Sequence, residues 1–551
     1  MLIFIKSTKF ALLGAALAWL AACGGGGGES APIVSVQVSG VARYESVPYL
    51  AADIVGVADA GSLNFAATTL KPIRGATVQA VSGTTVLATA TTSDTGSYVL
   101  DVPPNTSYKI RLLAELLKTS GAATWDVALY DNTNNGSLWA VEGTTATTTT
   151  TNTVRNITAD TGWSMTANAY TGFRAAGLFA ILDTIYSGMT QIAAVQPGVS
   201  FPRLDVFWSP KNISTSTRNF ALGQLGGKTF FTAITTNGVI SERGMFILGA
   251  ADNDSDEFDA TVIAHEFGHY LQSVFSKTPS IGGEHTTGDK LDMTLAFGEG
   301  WGNAYSSILR NDPIYADSGP ASQRRGFAFD ITSTPLTKGW YSEDSVSNVI
   351  YGLYKSQGFA PIWNAIKGPM NGIQDSLATI FSFADAVRSA AVAAVNASLN
   401  TLLNAQSIFA GTGADQWGAN ETNNGGAAFN LPPYKTVALN MPTAAGCLTA
   451  NMTLNNTNKL GAVSYYRISS IPAGAHTVTA SFNNGRDVNV EIFQKSNSIA
   501  DGFNDTANSE VVPVNVPTTG EIVVRLTDYP VSTATFNISA STPSCATVTV
   551  Q

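Results

Sequence analysis

The sequence predicts a multidomain α+β protein, with a middle region of mixed helices and strands flanked by an N-terminal and a C-terminal all-β sandwich. Three observations predict it. The chain has 551 residues, more than one hydrophobic core sustains, so roughly two to four domains are expected. Toward both ends, apolar and polar residues alternate in short runs between Gly, Asp and Pro turns, the pattern of half-buried strands. The middle instead repeats apolar residues near a 3.6-residue period, as in Phe173, Leu178, Phe179, Ile181, Leu182, Ile185 and Met189. Hydrophobic residues make up 44%, which excludes wholesale disorder, and charged residues only 13%, which implies a surface of Ser, Thr, Asn and Gly. A net charge of -10 without a visible Lys/Arg cluster argues against nucleic acid as a partner.

Residues 1–22 read as an export signal. Lys6 and Lys9 precede an apolar stretch at 10–20, which ends in Leu20-Ala21-Ala22-Cys23. That ending resembles the lipobox of bacterial lipoproteins. The resemblance implies cleavage before Cys23, acylation of Cys23 and a membrane anchor at the outer membrane or cell surface. An ordinary signal peptide with an incidental Cys is the alternative. A Gly-rich tether follows at 23–35. No other apolar run is read as long enough to span a bilayer.

Residues 36–143 form the N-terminal β region. Its clearest part, 72–103, ends in TSDTGSYVLDVP. This stretch resembles carboxypeptidase-regulatory-like or Cna-B-like modules, which implies an accessory sandwich. Residues 144–163 begin with a run of almost pure Thr, read as a linker or an exposed edge. At the other end, 433–551 alternates over 464–471, 476–482, 487–494, 521–526 and 536–539. This resembles the pre-peptidase C-terminal domain. Cys447 and Cys545 lie near the two ends of this segment and outside any CxxC. In an exported protein they are expected to form a disulfide, free thiols being the alternative.

The middle region, 164–432, begins with a helical pattern at 164–195. Strands are expected at 204–208, 229–234 and 239–249, and helices at 291–309, 345–357, 373–396 and 399–409. Its decisive segment is His265-Glu266-Phe267-Gly268-His269, an HExxH. Residues four apart share one helix face, so both imidazoles can reach one metal ion. Glu266 stands beside them, where it can polarise a metal-bound water. Asp254 with Glu257 fits a capping box for this helix. Only four histidines occur in the chain, and two are in the motif.

A catalytic zinc site needs a third protein ligand and one open position. The downstream candidates are His285, Asp289, Asp292 and Glu299. Residues 270–277 contain no His, so the metzincin spacing fails. Gly298-Glu299-Gly300-Trp301 resembles the second-helix motif of gluzincins such as thermolysin and, more closely, the fungalysin group. The resemblance implies a zincin-like catalytic domain over 164–432. It further implies one Zn²⁺ held by His265, His269 and Glu299, Glu266 as general base, and zinc endopeptidase activity on extracellular proteins or peptides. Gluzincins usually carry an Asp four residues after the ligand Glu, to orient the first His. Here Asn303 stands at that place, an acceptor without the charge.

Tyr341 is the candidate transition-state donor and Tyr351 a weaker one, although both fit packed aromatics equally. His285 is open to ligation, substrate contact or a polar loop role, with loop or cleft favoured, and His476 is expected to be structural. The acidic run 252–259 offers Ca²⁺ ligands without EF-hand spacing. The strand at 245–248 is a candidate edge for an extended peptide. Two other classes stay open: a cell-surface binding protein on a catalytically degenerate peptidase fold, and a structural zinc site.

Overall fold

The computed structural model describes residues 35–50, 60–236, 239–320, 325–408, 415–448, 458–482, 487–503, 509–529 and 544–551. The lipobox with Cys23 lies outside the described residues, as does the strand expected at 536–539.

The N-terminal region is β-rich, as its alternation predicts. Val36–Ser46 pairs antiparallel with Thr69–Pro72 and Ser97–Val102, and parallel with Thr153–Val154 and Ile157–Ala159. Its buried residues Val38, Ala42 and Tyr44 share one core with Val78, Ile110 and Leu112 of a second, ten-stranded sheet. The main path of that sheet runs Phe230–Thr236, Val239–Ile247, Leu204–Trp208, Trp125–Asp131, Ser107–Lys118, Ala76–Ser82 and Thr85–Thr91. Leu204–Trp208 lies parallel to both of its neighbours. The sheet therefore continues hydrogen bonding across the boundary expected at 144–163.

The Thr-rich stretch is not a free linker. Ala146–Thr147 pairs with Ser107–Lys118, and the two short strands after it join Val36–Ser46. Thr148 is buried, its hydroxyl donating to Pro103 O at 2.7 Å and accepting from Thr106 N at 2.9 Å. Thr is β-branched and favours strands, so its low complexity here forms edge ladders.

The described helices are α1 (Ala175–Val195), α2 (Ala260–Phe275), α3 (Met293–Arg310), α4 (Glu343–Gln357), α5 (Ala360–Lys367), α6 (Ile380–Ala390) and α7 (Ala393–Ala405). Helix α1 starts later than expected because Trp163–Ser164 and Ala169–Tyr170 form a small hairpin whose Trp163 stacks on Phe65. By length and composition α1 is apolar enough to cross a membrane, contrary to the expectation above. Leu178, Phe179, Ile181 and Leu182 are nonetheless buried in the core. The single helix expected at 373–396 is broken. Thr379 and Ser382 form a capping box that starts α6, and Ala391 and Val392 are extended before α7 begins.

The C-terminal region is two packed sheets. One has five strands: Tyr434–Thr436, Val463–Ile471, Gly520–Tyr529, Asp487–Gln494 and Asn497–Gly502. The other has four: Thr443–Leu448, Ser544–Val550, Gly474–Phe482 and Ser509–Val516. Cys447 and Cys545 sit opposite each other on neighbouring strands and form the expected disulfide. Because side chains alternate along a strand, the five-stranded sheet serves two cores. Tyr466, Ile492 and Val524 face the sandwich interior, while Tyr465, Phe493 and Val523 join the large core that holds the helices. The sandwich is thus packed on the middle region through a buried apolar face.

Candidate metal centre

Helix α2 forms because Val262, Ile263, Phe267, Tyr270 and Leu271 make an apolar surface that is buried on several sides. Its start differs from the capping box expected of Asp254 and Glu257. The N-cap residue is Asp259, and its carboxylate accepts from Ser318 Oγ at 2.6 Å rather than from the helix. Asp254 instead pairs with Lys228 Nζ at 2.8 Å, and Glu257 forms a buried ion pair with Arg174. Local spacing suggested a cap, but both carboxylates have tertiary partners.

Helix α3 is capped as a helix should be. Asp292 Oδ1 accepts from Thr294 N at 2.9 Å and Leu295 N at 3.4 Å. Its glycines let two other helices approach. A Cβ on Gly302 would lie 2.7 Å from His265 Cε1, and a Cβ on Gly300 would lie 2.5 Å from Val346 Cβ of α4. Trp301 Nε1 donates to Gly268 O of α2 at 2.8 Å, which fixes the register between the two helices.

This packing brings the sequence-predicted ligands together. One nitrogen each of His265 and His269 and one oxygen of Glu299 all lie within 4.8 Å of one another. Glu299 Oε2 is 3.3 Å from His265 Nε2 and 3.7 Å from His269 Nε2. Burial alone would raise the Glu299 carboxyl, but the His269 and His265 imidazoles hold it well below the usual carboxylate range. Asn303 occupies the place read from the motif: its Oδ1 is 2.9 Å from His265 Nδ1. An amide oxygen can only accept, so Nδ1 donates to it, and Nε2 is the ring nitrogen that faces Glu299.

Glu266 is not among these ligand atoms. Its Oε2 accepts from Phe231 N at 2.7 Å, a residue of the sheet's outermost strand. Burial, reinforced by Glu299 and opposed by His265, pushes its carboxyl up to about 7.

Two further groups stand around the centre: His285, read from the sequence as a loop or cleft residue, and Glu343, which the sequence does not single out. His285 reaches it from the loop between α2 and α3, with Nε2 3.6 Å from Glu299 Oε2 and 3.2 Å from Glu343 Oε2. Burial opposes its protonation, but the Glu343 and Glu299 carboxylates push its pKa up to about 9. Glu343 opens α4 and carries no motif of its own; only the Gly300 approach, which sets α4 against α3, places it here. Tyr341, the expected donor, turns elsewhere. Its hydroxyl lies 2.9 Å from Asn423 Oδ1 and 3.1 Å from Lys338 O, and its ring packs on Trp340. Tyr351 is buried in the core. His476 sits in the four-stranded sheet, beside Pro472 O and Gln551 O.

The acidic run divides. Asp254 and Asp256 join Asp317, from strand Ile314–Gly319, with one oxygen of each within 4.8 Å of the others. Burial raises the carboxyls of Asp256 and Asp259 well above the usual range, and burial with Asp254 pushes Asp317 up to about 7.

Comparison with known protein families and with curated protein sequences returns no match. Among solved structures, the chain is similar over 21% of its length to the pre-peptidase C-terminal domain of collagenase from Bacillus anthracis, at 12% identity and a TM-score of 0.16, covering 94% of that chain. It is also similar over 21% of its length to PliG of Aeromonas hydrophila, a periplasmic lysozyme inhibitor of g-type lysozyme, at 14% identity and a TM-score of 0.14, covering 97% of that chain. Neither likeness carries an argument about the metal centre.

Proposed function

We propose that the chain is a zinc-dependent endopeptidase of the gluzincin type, acting on extracellular proteins or peptides. The observation that carries this reading is the convergence of His265, His269 and Glu299 from two helices, beside a Glu266 carboxylate that stays outside the ligand set. The donors fit zinc: two imidazole nitrogens and one carboxylate, three protein ligands with room for a fourth. Zinc held there supplies a Lewis acid that polarises a carbonyl and acidifies water.

The chain's own residues supply the rest. Glu266, held by Phe231 N, accepts a proton near neutral pH and returns it to the leaving amine. His285, steadied by Glu343, takes the oxyanion-donor role that the sequence assigned to Tyr341. An extended substrate pairs with Phe230–Thr236, the border strand of the sheet. The strand expected to do this, at 245–248, lies largely within Val239–Ile247, which has neighbours on both sides and offers no free edge. Export fits the Cys447–Cys545 disulfide, which persists in oxidising compartments. Anchoring at Cys23 remains part of the same proposal.

The test compares zinc content and casein cleavage in wild type, Glu299→Ala and His285→Ala. Glu299→Ala is expected to lose both. His285→Ala is expected to keep zinc and lose about 10²-fold or more in kcat, the loss typical of an oxyanion donor. Zinc bound by wild type without any cleavage would defeat the peptidase reading and favour a binding protein on this fold.

A further inference from the structure

The segment 276–292 joins α2 to α3 without a helix of its own. It nevertheless carries His285 and delivers Asp292, the cap of the helix that bears Glu299. Much of what holds it comes from the C-terminal sandwich. Asn458 Nδ2 donates to Gly282 O at 3.0 Å and to Glu284 O at 3.1 Å. The carbonyl between those two, Gly283 O, lies 3.1 Å from His285 Nδ1. One buried amide thus fixes the backbone on both sides of the carbonyl that orients the imidazole. The fit is close: Gly283 has φ +99°, and a Cβ there would lie 2.8 Å from Asn458 Nδ2.

The ends of the loop are tied as well. Arg525 Nη1 donates to Pro279 O at 2.6 Å, and its Nε is held by Glu491 Oε2 at 2.8 Å. Tyr465 OH donates to Asp292 Oδ2 at 2.6 Å, while the other oxygen of that carboxylate caps α3. Lys459 Nζ bridges Glu284 O and Asp289 Oδ2, at 3.1 and 2.9 Å. Asn458, Lys459, Tyr465 and Arg525 are each no more than 5% exposed, so water cannot readily replace these bonds.

We propose that the C-terminal sandwich is a working part of the centre, in which Asn458 is a positioning residue that sets the His285 imidazole through the Gly282 and Glu284 carbonyls, with Tyr465 and Arg525 fixing the ends of the loop. The proposal rests on the reading of His285 as the oxyanion donor. The ligands His265, His269 and Glu299 stand on α2 and α3 themselves, so loosening the loop frees His285 without removing the metal site. An appended domain that served only as a tether or a substrate anchor would not need to bind the backbone of this loop.

The experiment uses the full exported chain as purified with zinc. Asn458→Asp keeps the shape of the side chain but sets an oxygen against two carbonyls in place of the donor. Asn458→Ala removes the side chain and gives the same comparison should the first variant not fold. Ser496→Ala is the control, because Ser496 Oγ donates to Ser376 O at 2.9 Å, a docking bond of the sandwich beside the Gln374 carbonyl that takes Lys277 Nζ at the start of the loop, and not one made to 282–285. The readouts are kcat, KM, zinc content and the NMR signals of the histidine rings. With four histidines in the chain, the His285 signal is identified by its loss in His285→Ala.

The Asn458 variants are expected to keep zinc and a KM near that of wild type, and to lose about ten- to a hundredfold in kcat, the worth of one or two neutral hydrogen bonds expressed in the transition state. Their His285 signal moves or broadens while the other three stay in place, and Ser496→Ala changes neither. An unmoved His285 signal in a folded variant overturns the clamp. A moved signal with unchanged kcat overturns the catalytic reading of His285 and leaves the clamp standing. Equal losses in Ser496→Ala overturn the specific role of Asn458 and reduce the sandwich to a general stabiliser.

Discussion

Gly302→Ala separates folding from metal binding. The added Cβ would lie 2.7 Å from His265 Cε1 and 2.8 Å from both ring nitrogens. Ordinary contact begins at 3.4 Å, so the ring must retreat by about 0.7 Å, or α2 and α3 must separate by as much. A metal bond tolerates only about 0.2 Å. Stability itself should change little: alanine gains about 1 kcal/mol in helix propensity over glycine, and overpacking costs about 1–3 kcal/mol. The expected net loss is about 0–2 kcal/mol by urea unfolding of the metal-free protein. Zinc affinity should fall by at least about 10- to 100-fold, the loss seen when a supporting partner of a ligand is removed. Competition with a chromogenic chelator measures it. A folded Gly302→Ala protein that binds zinc like wild type would refute the placement of His265 as a ligand packed against α3.

Other outcomes follow from the same geometry. Glu266→Gln should retain zinc, since Glu266 is outside the ligand set, and lose about 10²- to 10⁴-fold in kcat; near-normal casein cleavage would remove it as the base. Asn303→Leu should weaken zinc binding by about 10- to 100-fold by freeing His265 Nδ1, with Asn303→Asp shifting affinity the opposite way; equal affinities in all three proteins would contradict that role. Asp317 has its folded pKa raised from 3.8 to about 7, so its contribution is fully present below about pH 4 and is lost as pH rises through 7. Urea unfolding of calcium-free protein should therefore show a steeper fall in stability from pH 4 to 8 than Asp317→Asn does, with calcium restoring stability at the upper end; parallel profiles would refute it. Replacing Cys447 and Cys545 by Ser opens a cross-link with a sequence separation of 98 and should cost about 4–5 kcal/mol on the chain-entropy estimate; an unchanged unfolding midpoint would show that the cross-link does not constrain the unfolded chain.

The convergence of the proposed ligands was legible in the sequence because its signals are local. His265 and His269 share a helix face by spacing alone, and Glu299 sits in a Gly-Glu-Gly-Trp run whose second glycine, Gly300, is needed for close helix packing. Asn303 was legible for the same reason, one turn beyond Glu299. The C-terminal strands over 464–471, 476–482, 487–494 and 521–526 were legible because each has one face in the interior core. What was not legible depends on partners distant in the chain. Asp254 and Glu257 look like a cap until Lys228 and Arg174 are beside them. The strand at 245–248 looks like an edge until the border strand Phe230–Thr236 pairs with it. Tyr341 is adjacent in sequence to the residues that open α4, yet the side chain that reaches the centre from there is Glu343. The parallel pairing of Leu204–Trp208 with Trp125–Asp131, which joins the N-terminal strands to the middle region, leaves no local trace at all.

The most direct test of the metal centre is an anomalous difference map at the zinc edge, from a crystal of the chain from residue 24 onward grown with zinc. A single strong peak is predicted between His265 Nε2, His269 Nε2 and the Glu299 carboxylate, with metal–ligand distances of about 2.0–2.2 Å. A peak absent from that position, or one bound instead through His285 and Glu343, would contradict the account.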